Sequence, residues 1–464
     1  MYLVFLSILS NIFKLLIKMN SQKKTLLILI PLLVFFQVFT LNAQTEEIPK
    51  EERLAWFKDA KFGIFIHWGI YAVNGIDESW SFYNNYISYT DYMKQLNGFT
   101  AKNYNPTKWA KLIKESGAKY TVITTKHHDG VALWNTKQND LSIVKKAPAK
   151  KDVITPFVNA VRKENLKVGL YFSLLDWSHP DYPNFTRTKT KYTKNDKKWE
   201  SFTKFNFGQL NELTKFNPDL YWFDGDWEQP AEKWKAKEIR QLLLKKNPNT
   251  FINSRLQGYG DYATPEQGVP ITKPLNDFWE LCMTMNNSWG YQPNDTNYKT
   301  INQLIRILVD CISMGGNLLL DIAPKPDGTI PEEQTKILKG IGRWTNKHKE
   351  AIYGTRAGIP HGHFNGYTAL SKDKTTLYLY VDNKPNGPLL IKGLKNKVNR
   401  VWVVGNGTKL SHKVVGKQYW SNVPGLLYID LPEKVQDKDV TVIAILLKGK
   451  VDLYKEEVKA IESN

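Results

Sequence analysis

The sequence predicts an α/β fold: a (β/α)8-like barrel over residues 44–354 and an antiparallel β-sandwich domain over 355–464, behind a signal peptide region at 1–43. Two observations predict it. From about residue 50 to 350, short apolar β-branched runs alternate with longer amphipathic ones, the pattern of parallel βα units, and that length suits an eight-fold barrel. From about 356 the helical periodicity stops, and short strands separated by Gly, Asn, Pro and Lys turns take over.

The elements follow in chain order. Lys23 and Lys24 precede an uncharged run over 25–40 and then Leu41-Asn42-Ala43. A basic start, an apolar stretch and a small residue predict export, periplasmic or secreted, with cleavage near Ala43; the start is Met1 or Met19, and a two-span anchor is the alternative. Barrel strands are predicted at 62–67, 120–126, 167–173, 220–224, 250–253, 277–281 and 317–322. Helices are predicted at 109–116, 154–165, 231–246 and 301–313, the first and the last two ending near Gly or Asn-Pro and the second carried by its apolar spacing at Val158, Val161 and Leu166. Sandwich strands are predicted at 377–381, 389–394, 398–404, 426–431 and 440–447.

Composition narrows the class. Apolar residues are 42% and aromatics 13%, which excludes a disordered chain, a collagen and a small disulfide scaffold. The 15 Trp, 23 Tyr and 21 Phe lean towards ring-stacking ligands such as carbohydrate. The net charge is +19; residues 1–43 hold four lysines and no acids, so +15 remains after cleavage. That suits either a polyanionic substrate or a solvated lysine surface. Cys282 and Cys311 are expected to be buried free thiols. No zinc spacing, phosphate loop, Gly-x-Ser-x-Gly or nucleic-acid motif occurs, so no cofactor, no metal and no nucleic acid partner is expected.

Barrel chemistry sits where strands end. The residues there are His67-Trp68, His127-His128-Asp129, Asp176-Trp177, Asp224-Gly225-Asp226, Arg255 and Glu280. Asp224 closes an aromatic strand, either aimed into a pocket or capping a turn. Glu266, in an aperiodic segment, reads as a βα-loop residue over the barrel mouth, catalytic or simply exposed. Two carboxylates on one pocket are what glycoside hydrolysis needs. Adjacent histidines in an extended segment point to opposite sides, which disfavours shared metal ligation and leaves them as neutral donors to sugar hydroxyls, or as one structural and one surface histidine. Trp222, Trp279 and Trp289 are candidates for sugar stacking or for the core.

These segments resemble the glycoside hydrolase family 29 α-L-fucosidases of exported bacterial type. The matches are Lys-Phe-Gly-Ile-Phe-Ile-His-Trp-Gly at 61–69, Thr-Lys-His-His-Asp-Gly at 125–130, Trp-Phe-Asp-Gly at 222–225, Asn-Leu-Leu-Leu-Asp-Ile-Ala-Pro at 317–324 and Asp-Gly-Thr-Ile-Pro at 327–331. The resemblance implies a retaining exo-glycosidase that releases terminal α-L-fucose by double displacement, with Asp224 as nucleophile and Glu266 as acid/base. It implies sugar contacts from His67, His127, His128, Tyr171, Trp222 and Arg255, and from Trp289 against the C5 methyl. Where many members carry adjacent Glu-Trp, this chain reads Glu78-Ser79-Trp80; Glu78 and Trp80 are the expected contacts.

The expected partner is a fucosylated or L-galactosylated glycan, sulfated if Arg187, Lys189, Lys191 and Lys194 face it from the basic insertion at 187–198. The alternatives are an exo-α-L-galactosidase acting on sulfated algal polysaccharide and a non-catalytic carbohydrate-binding protein. No stable membrane insertion is expected after cleavage.

Overall fold

The computed structural model describes residues 47–455, so the expected signal and its cleavage point lie outside the described residues. Seven parallel strands form the first sheet: β1 (Phe62–Ile66), β2 (Tyr120–Lys126), β3 (Lys167–Ser173), then, after a small hairpin of β4 (Asn184–Thr186) and β5 (Lys189–Thr190), β6 (Leu220–Asp224), β7 (Phe251–Ile252), β8 (Glu280–Thr284) and β9 (Asn317–Ile322). Their order is β7-β6-β3-β2-β1-β9-β8. The segment 261–267 spans the remaining gap through bridges Asn253–Tyr262, Ala263–Trp279 and Glu266–Cys282. It is the irregular eighth stave of the barrel; Pro265 has no N–H to give to a ladder.

Side-chain parity divides each stave between two cores. On β6, Leu220 and Trp222 point into the lumen while Tyr221 and Phe223 face the surrounding helices. The lumen also takes Phe65, Tyr120, Val122, Tyr171, Cys282 and Leu319. Tyr120 crosses it because the opposing residue is Gly63, where a Cβ would lie 2.4 Å from the ring.

The helices show their causes locally. Pro106–Glu115 starts on Asn105, whose side chain accepts from Lys108 N, and Pro106 sits in its first turn. Ile301–Ser313 carries a full capping box from Thr300 and Gln303. The run predicted at 231–246 is two helices, broken at Lys235 in left-handed conformation. Two long helices escape the sequence reading, besides several of four to six residues. Asp196–Leu213, capped by Asn195, hides behind its lysine-rich start, and Glu332–Lys347 has a mostly polar sequence. Among the described residues, no helix is long and apolar enough to cross a membrane.

Beyond the barrel lie β10 (Arg356–Ala357), β11 (Tyr367–Leu370), β12 (Thr376–Val381), β13 (Leu389–Ile391), β14 (Val398–Val403), β15 (His412–Val415), β16 (Leu426–Ile429) and β17 (Thr441–Leu447). They make antiparallel sheets ordered β10-β11-β12-β17-β14 and β13-β16-β15. The sequence missed β10, β11 and β15, which are short or exposed. Parity again assigns the faces. Leu377, Leu379, Ile443 and Ile445 fill the inter-sheet core, whereas Tyr378, Tyr380, Val442 and Ala444 pack on the barrel's helical layer. The sandwich is thereby fastened to the barrel by a continuous apolar face. Cys282 and Cys311 are buried and free.

Candidate active site

A cavity of about 310 Å³ opens where the barrel strands end, room for about one sugar ring. Of the eleven expected site residues, ten line it: His67, Glu78, Trp80, His127, Tyr171, Trp222, Asp224, Arg255, Glu266 and Trp289. His128 lies directly behind, its Nε2 3.7 Å from Asp224 Oδ2. A larger cavity of about 890 Å³ lies beside the sandwich, lined by residues such as Arg306, His361 and Asp382; it has no paired carboxylates and Arg306 is neutralised by Asp382.

Asp224 is the last residue of β6, held inward by the same parity as Trp222. Gly225 follows at φ 83°, a turn a side chain resists; a Cβ there would meet Leu175 at 2.3 Å. Asp224 Oδ2 accepts from Tyr171 Oη at 2.8 Å and Oδ1 from Arg255 Nη1 at 2.9 Å. Arg255 Nη2 donates to Glu266 Oε2 at 2.6 Å. One planar guanidinium therefore spans both carboxylates and holds them close. The two acids differ in setting: the Asp224 side chain is 12% exposed and the Glu266 side chain 40%.

Glu266 corrects the sequence reading. It stands on the eighth stave, its backbone bridged to Cys282, rather than in a free loop above the mouth. Aperiodicity had suggested a loop; the stave is aperiodic because it pairs only by isolated bridges.

The histidines also depart from expectation. Strand β2 ends at Lys126, after an irregularity between Thr124 and Lys126, so alternation no longer governs His127 and His128. Their rings lie 4.2 Å apart on the same site. Burial holds His67, His127 and His128 well below the usual histidine range, so all three are neutral. Ser173 Oγ donates to the Leu175 carbonyl at 2.8 Å, so the 2.6 Å contact with His128 Nδ1 requires His128 to be the donor. Its buried, unpartnered Nε2 is then an acceptor beside Asp224. His127 Nδ1 meets Ser79 Oγ at 2.6 Å, and His67 Nδ1 meets Asp321 Oδ1 at 2.8 Å. Each ring is fixed from behind and keeps Nε2 for a ligand. His127, His128 and Asp224 offer three metal-ligating atoms within 4.8 Å of one another. The Arg255 cation at Asp224 already supplies the positive charge there and opposes a second one.

The Glu78-Ser79-Trp80 order is accommodated where the chain turns into the short helix Trp80–Tyr83, Ser79 being already helical at φ −59° and ψ −19°. Ser79 holds His127, while Glu78 and Trp80 both reach the cavity. Burial pushes the Glu78 carboxyl up to about 7, and it accepts from Gly290 N beside Trp289. Trp80 packs edge-on to His128 and face to face with Trp227.

Two expectations move elsewhere. Glu280 begins β8 rather than ending a strand, three residues deeper than predicted. It lies sealed in the lumen, accepting from Tyr120 Oη at 2.5 Å, Trp222 Nε1 at 3.0 Å and Tyr262 Oη at 3.1 Å. Trp279 is fully buried against Gly316 and does not line the cavity. In the basic insertion, Lys191 Nζ ties down the carbonyls of Trp177 and His179, while Arg187, whose Nε bonds Asn84, and Lys189 and Lys194 are exposed. The sequence reading missed Phe65 and Trp227. Phe65 shares the parity of His67 on β1 and was findable; Trp227 sits on a short 3-10 turn with no periodic signal.

A family model described as Alpha-L-fucosidase matches residues 37–350. The chain is 33% identical to the tissue alpha-L-fucosidase of Mus musculus over 65% of its own length and 72% of that protein. With the tissue alpha-L-fucosidase of Homo sapiens it shares 29% identity over 82% of this chain and 85% of that one. Alpha-L-fucosidase isoenzyme 1 from Paenibacillus thiaminolyticus superposes with a TM-score of 0.78 at 33% identity, covering 86% of this chain and 99% of that structure. A GH29 alpha-L-fucosidase from Bacteroides thetaiotaomicron, solved as a trapped covalent intermediate with 2-fluoro-fucosyl fluoride, superposes at 0.77 with 28% identity over 88% and 98%.

Proposed function

Since the chain belongs to the α-L-fucosidase family, glycoside hydrolase family 29, and is a retaining α-L-fucosidase, we propose that Asp224 is its nucleophile and Glu266 its acid/base. The observation that carries the assignment is the Arg255 bridge, which joins an inward, shielded carboxylate to a more exposed one at the pocket mouth. Retaining pairs work at about 5–5.5 Å, and a shared guanidinium favours that short separation. In the first step an Asp224 oxygen bonds the anomeric carbon while Glu266 protonates the departing glycosidic oxygen. In the second, the Glu266 carboxylate takes a proton from water, whose oxygen bonds the anomeric carbon as the bond to Asp224 breaks. Tyr171 and Arg255 aim Asp224 through their hydrogen bonds to its two oxygens. Neutral His128 accepts a hydrogen bond from a sugar hydroxyl at its free Nε2, and His67 and His127 pair with further hydroxyls.

Fucose is favoured over L-galactose as the glycone. The Phe65–Trp289 wall, ring centroids 6.0 Å apart, suits a C5 methyl and offers nothing to an added hydroxyl. The basic start and apolar run before Ala43 support a bacterial, exported enzyme, with catalytic residues 44–354 and sandwich 355–464.

The test is Asp224→Gly on an aryl α-L-fucoside. Turnover should vanish, and added azide should restore part of it while giving the β-configured fucosyl azide, since the small anion enters the emptied face. Unchanged turnover, or an α-configured azide product, would remove Asp224 from the nucleophile's role.

A further inference from the structure

We propose that the tip of the β15–β16 hairpin is a second glycan-binding site, for an anionic polysaccharide carrying sulfate or carboxylate groups. Nine large hydrophobic side chains are exposed among the described residues, and five of them fall in one stretch: Val414, Val415, Tyr419, Trp420 and Val423. Tyr419 is 95% exposed and Trp420 71%, and their rings meet edge to face at 4.7 Å. Such a concentration of open aromatic surface marks a contact site.

The hairpin has an anchored base. On β16, Leu427 and Ile429 are buried in the inter-sheet core, while β15 is the sheet's outer strand. The tip is therefore held out from an anchored base.

Charge selects the occupant. The segment 409–425 contains Lys409, Lys413 and Lys417 and no Asp or Glu. A second copy pairing edge to edge on β15 would set these lysines against their own counterparts, without acids in the segment to offset them. A bilayer would have to take up Gln418, Ser421 and Asn422, which flank the rings. A polysaccharide uses all three features together: ring faces for the sugar's C–H side, amide and hydroxyl groups for its oxygens, and ammonium groups for its anions.

The inference rests on the glycan substrate proposed above. An enzyme that removes one terminal residue at a time gains from a tether, because holding the polymer raises the local concentration of its ends.

The full chain should be run by affinity electrophoresis through gels holding a sulfated fucan, the same fucan chemically desulfated, or a neutral β-glucan. Retardation should be strongest with the sulfated polymer and weaken with salt. Tyr419→Ala with Trp420→Ala should lower apparent affinity about five-fold or more, as loss of one good aromatic contact implies. Lys413→Gln with Lys417→Gln should remove most of the salt dependence. Both double variants should hydrolyse a p-nitrophenyl fucoside at the wild-type rate, which shows that they fold. Unchanged retardation in both would overturn the proposal. So would a dimer, seen by sedimentation, that the aromatic variant dissociates, or binding to phosphatidylglycerol vesicles in preference to the fucan. A wild-type chain that is retarded but leaves the aryl fucoside intact would instead sink the catalytic reading.

Discussion

Two carboxylate centres occupy the same barrel lumen, a few rungs apart, and they are built in opposite ways. At the mouth, Asp224 and Glu266 share the cation of Arg255, and Glu266 meets solvent. Below, Glu280 is fully buried and has only neutral donors: two phenols and the Trp222 indole. Burial pushes Glu280 up to about 7. Trp222 links the centres, since its ring face carries Arg255 at 4.5 Å while its N–H points down to Glu280. The contrast teaches that an acid's residue type and its strand do not decide its task. A mobile proton needs solvent and a nearby charge; a carboxylate sealed among neutral donors holds a side chain in place.

The comparison can be broken at the mouth with the largest effect. Glu266→Ala should cost roughly 10³-fold on fucosides with poor leaving groups and under about ten-fold on dinitrophenyl fucoside, because only the former need the proton. An equal loss across leaving groups would transfer the acid's role elsewhere. Next comes Arg255→Lys, which keeps a charge but loses the fork. About a hundred-fold fall in kcat/KM is expected, since one ammonium cannot bond both carboxylates as the fork does. A change within about three-fold would mean that the bridge does not position them.

Glu280→Gln sharpens the contrast with a smaller effect. Its amide oxygen can still accept from Trp222 and Tyr262, and its NH₂ can donate to the Tyr120 oxygen. Activity should stay within about three-fold, whereas Glu280→Ala should lose about ten-fold or more as Trp222 and Arg255 drift. Stability should carry the sign of the buried charge. A carboxyl raised from 4.5 to about 7 adds stability that is fully present below about 4.5 and lost as pH rises through about 7. The Tm of Glu280→Gln relative to wild type should therefore rise by a few degrees between pH 5 and pH 8. A flat difference would show that Glu280 is not the titrating group. The smallest effect is the chelator's: EDTA should leave aryl-fucoside hydrolysis unchanged, and a loss restored by zinc would assign the His127–His128–Asp224 triad to a metal.

Much of the site was legible before folding through the motifs shared with the family, and strand parity, a local property, agrees with them. In Trp-Phe-Asp, inward Trp222 makes Asp224 inward, and the same count pairs Phe65 with His67. What failed was position along the strand. An offset of three residues on β8 moved Glu280 from the mouth to the depths, since apolar runs mark a strand's presence better than its ends. The double histidine failed for a related reason, because alternation was extended past the point where β2 stops.

The chain by itself determined the alternation of βα units, the change to short strands near 356 and the inward set of each strand. Those follow from hydrophobic periodicity, which each segment carries within itself. Only the tertiary structure decided that Glu266 belongs to a stave, that Arg255 joins it to Asp224, and that His128 faces that acid with a lone pair. Those facts depend on residues far apart in sequence meeting around a closed ring, and no local pattern records the closure.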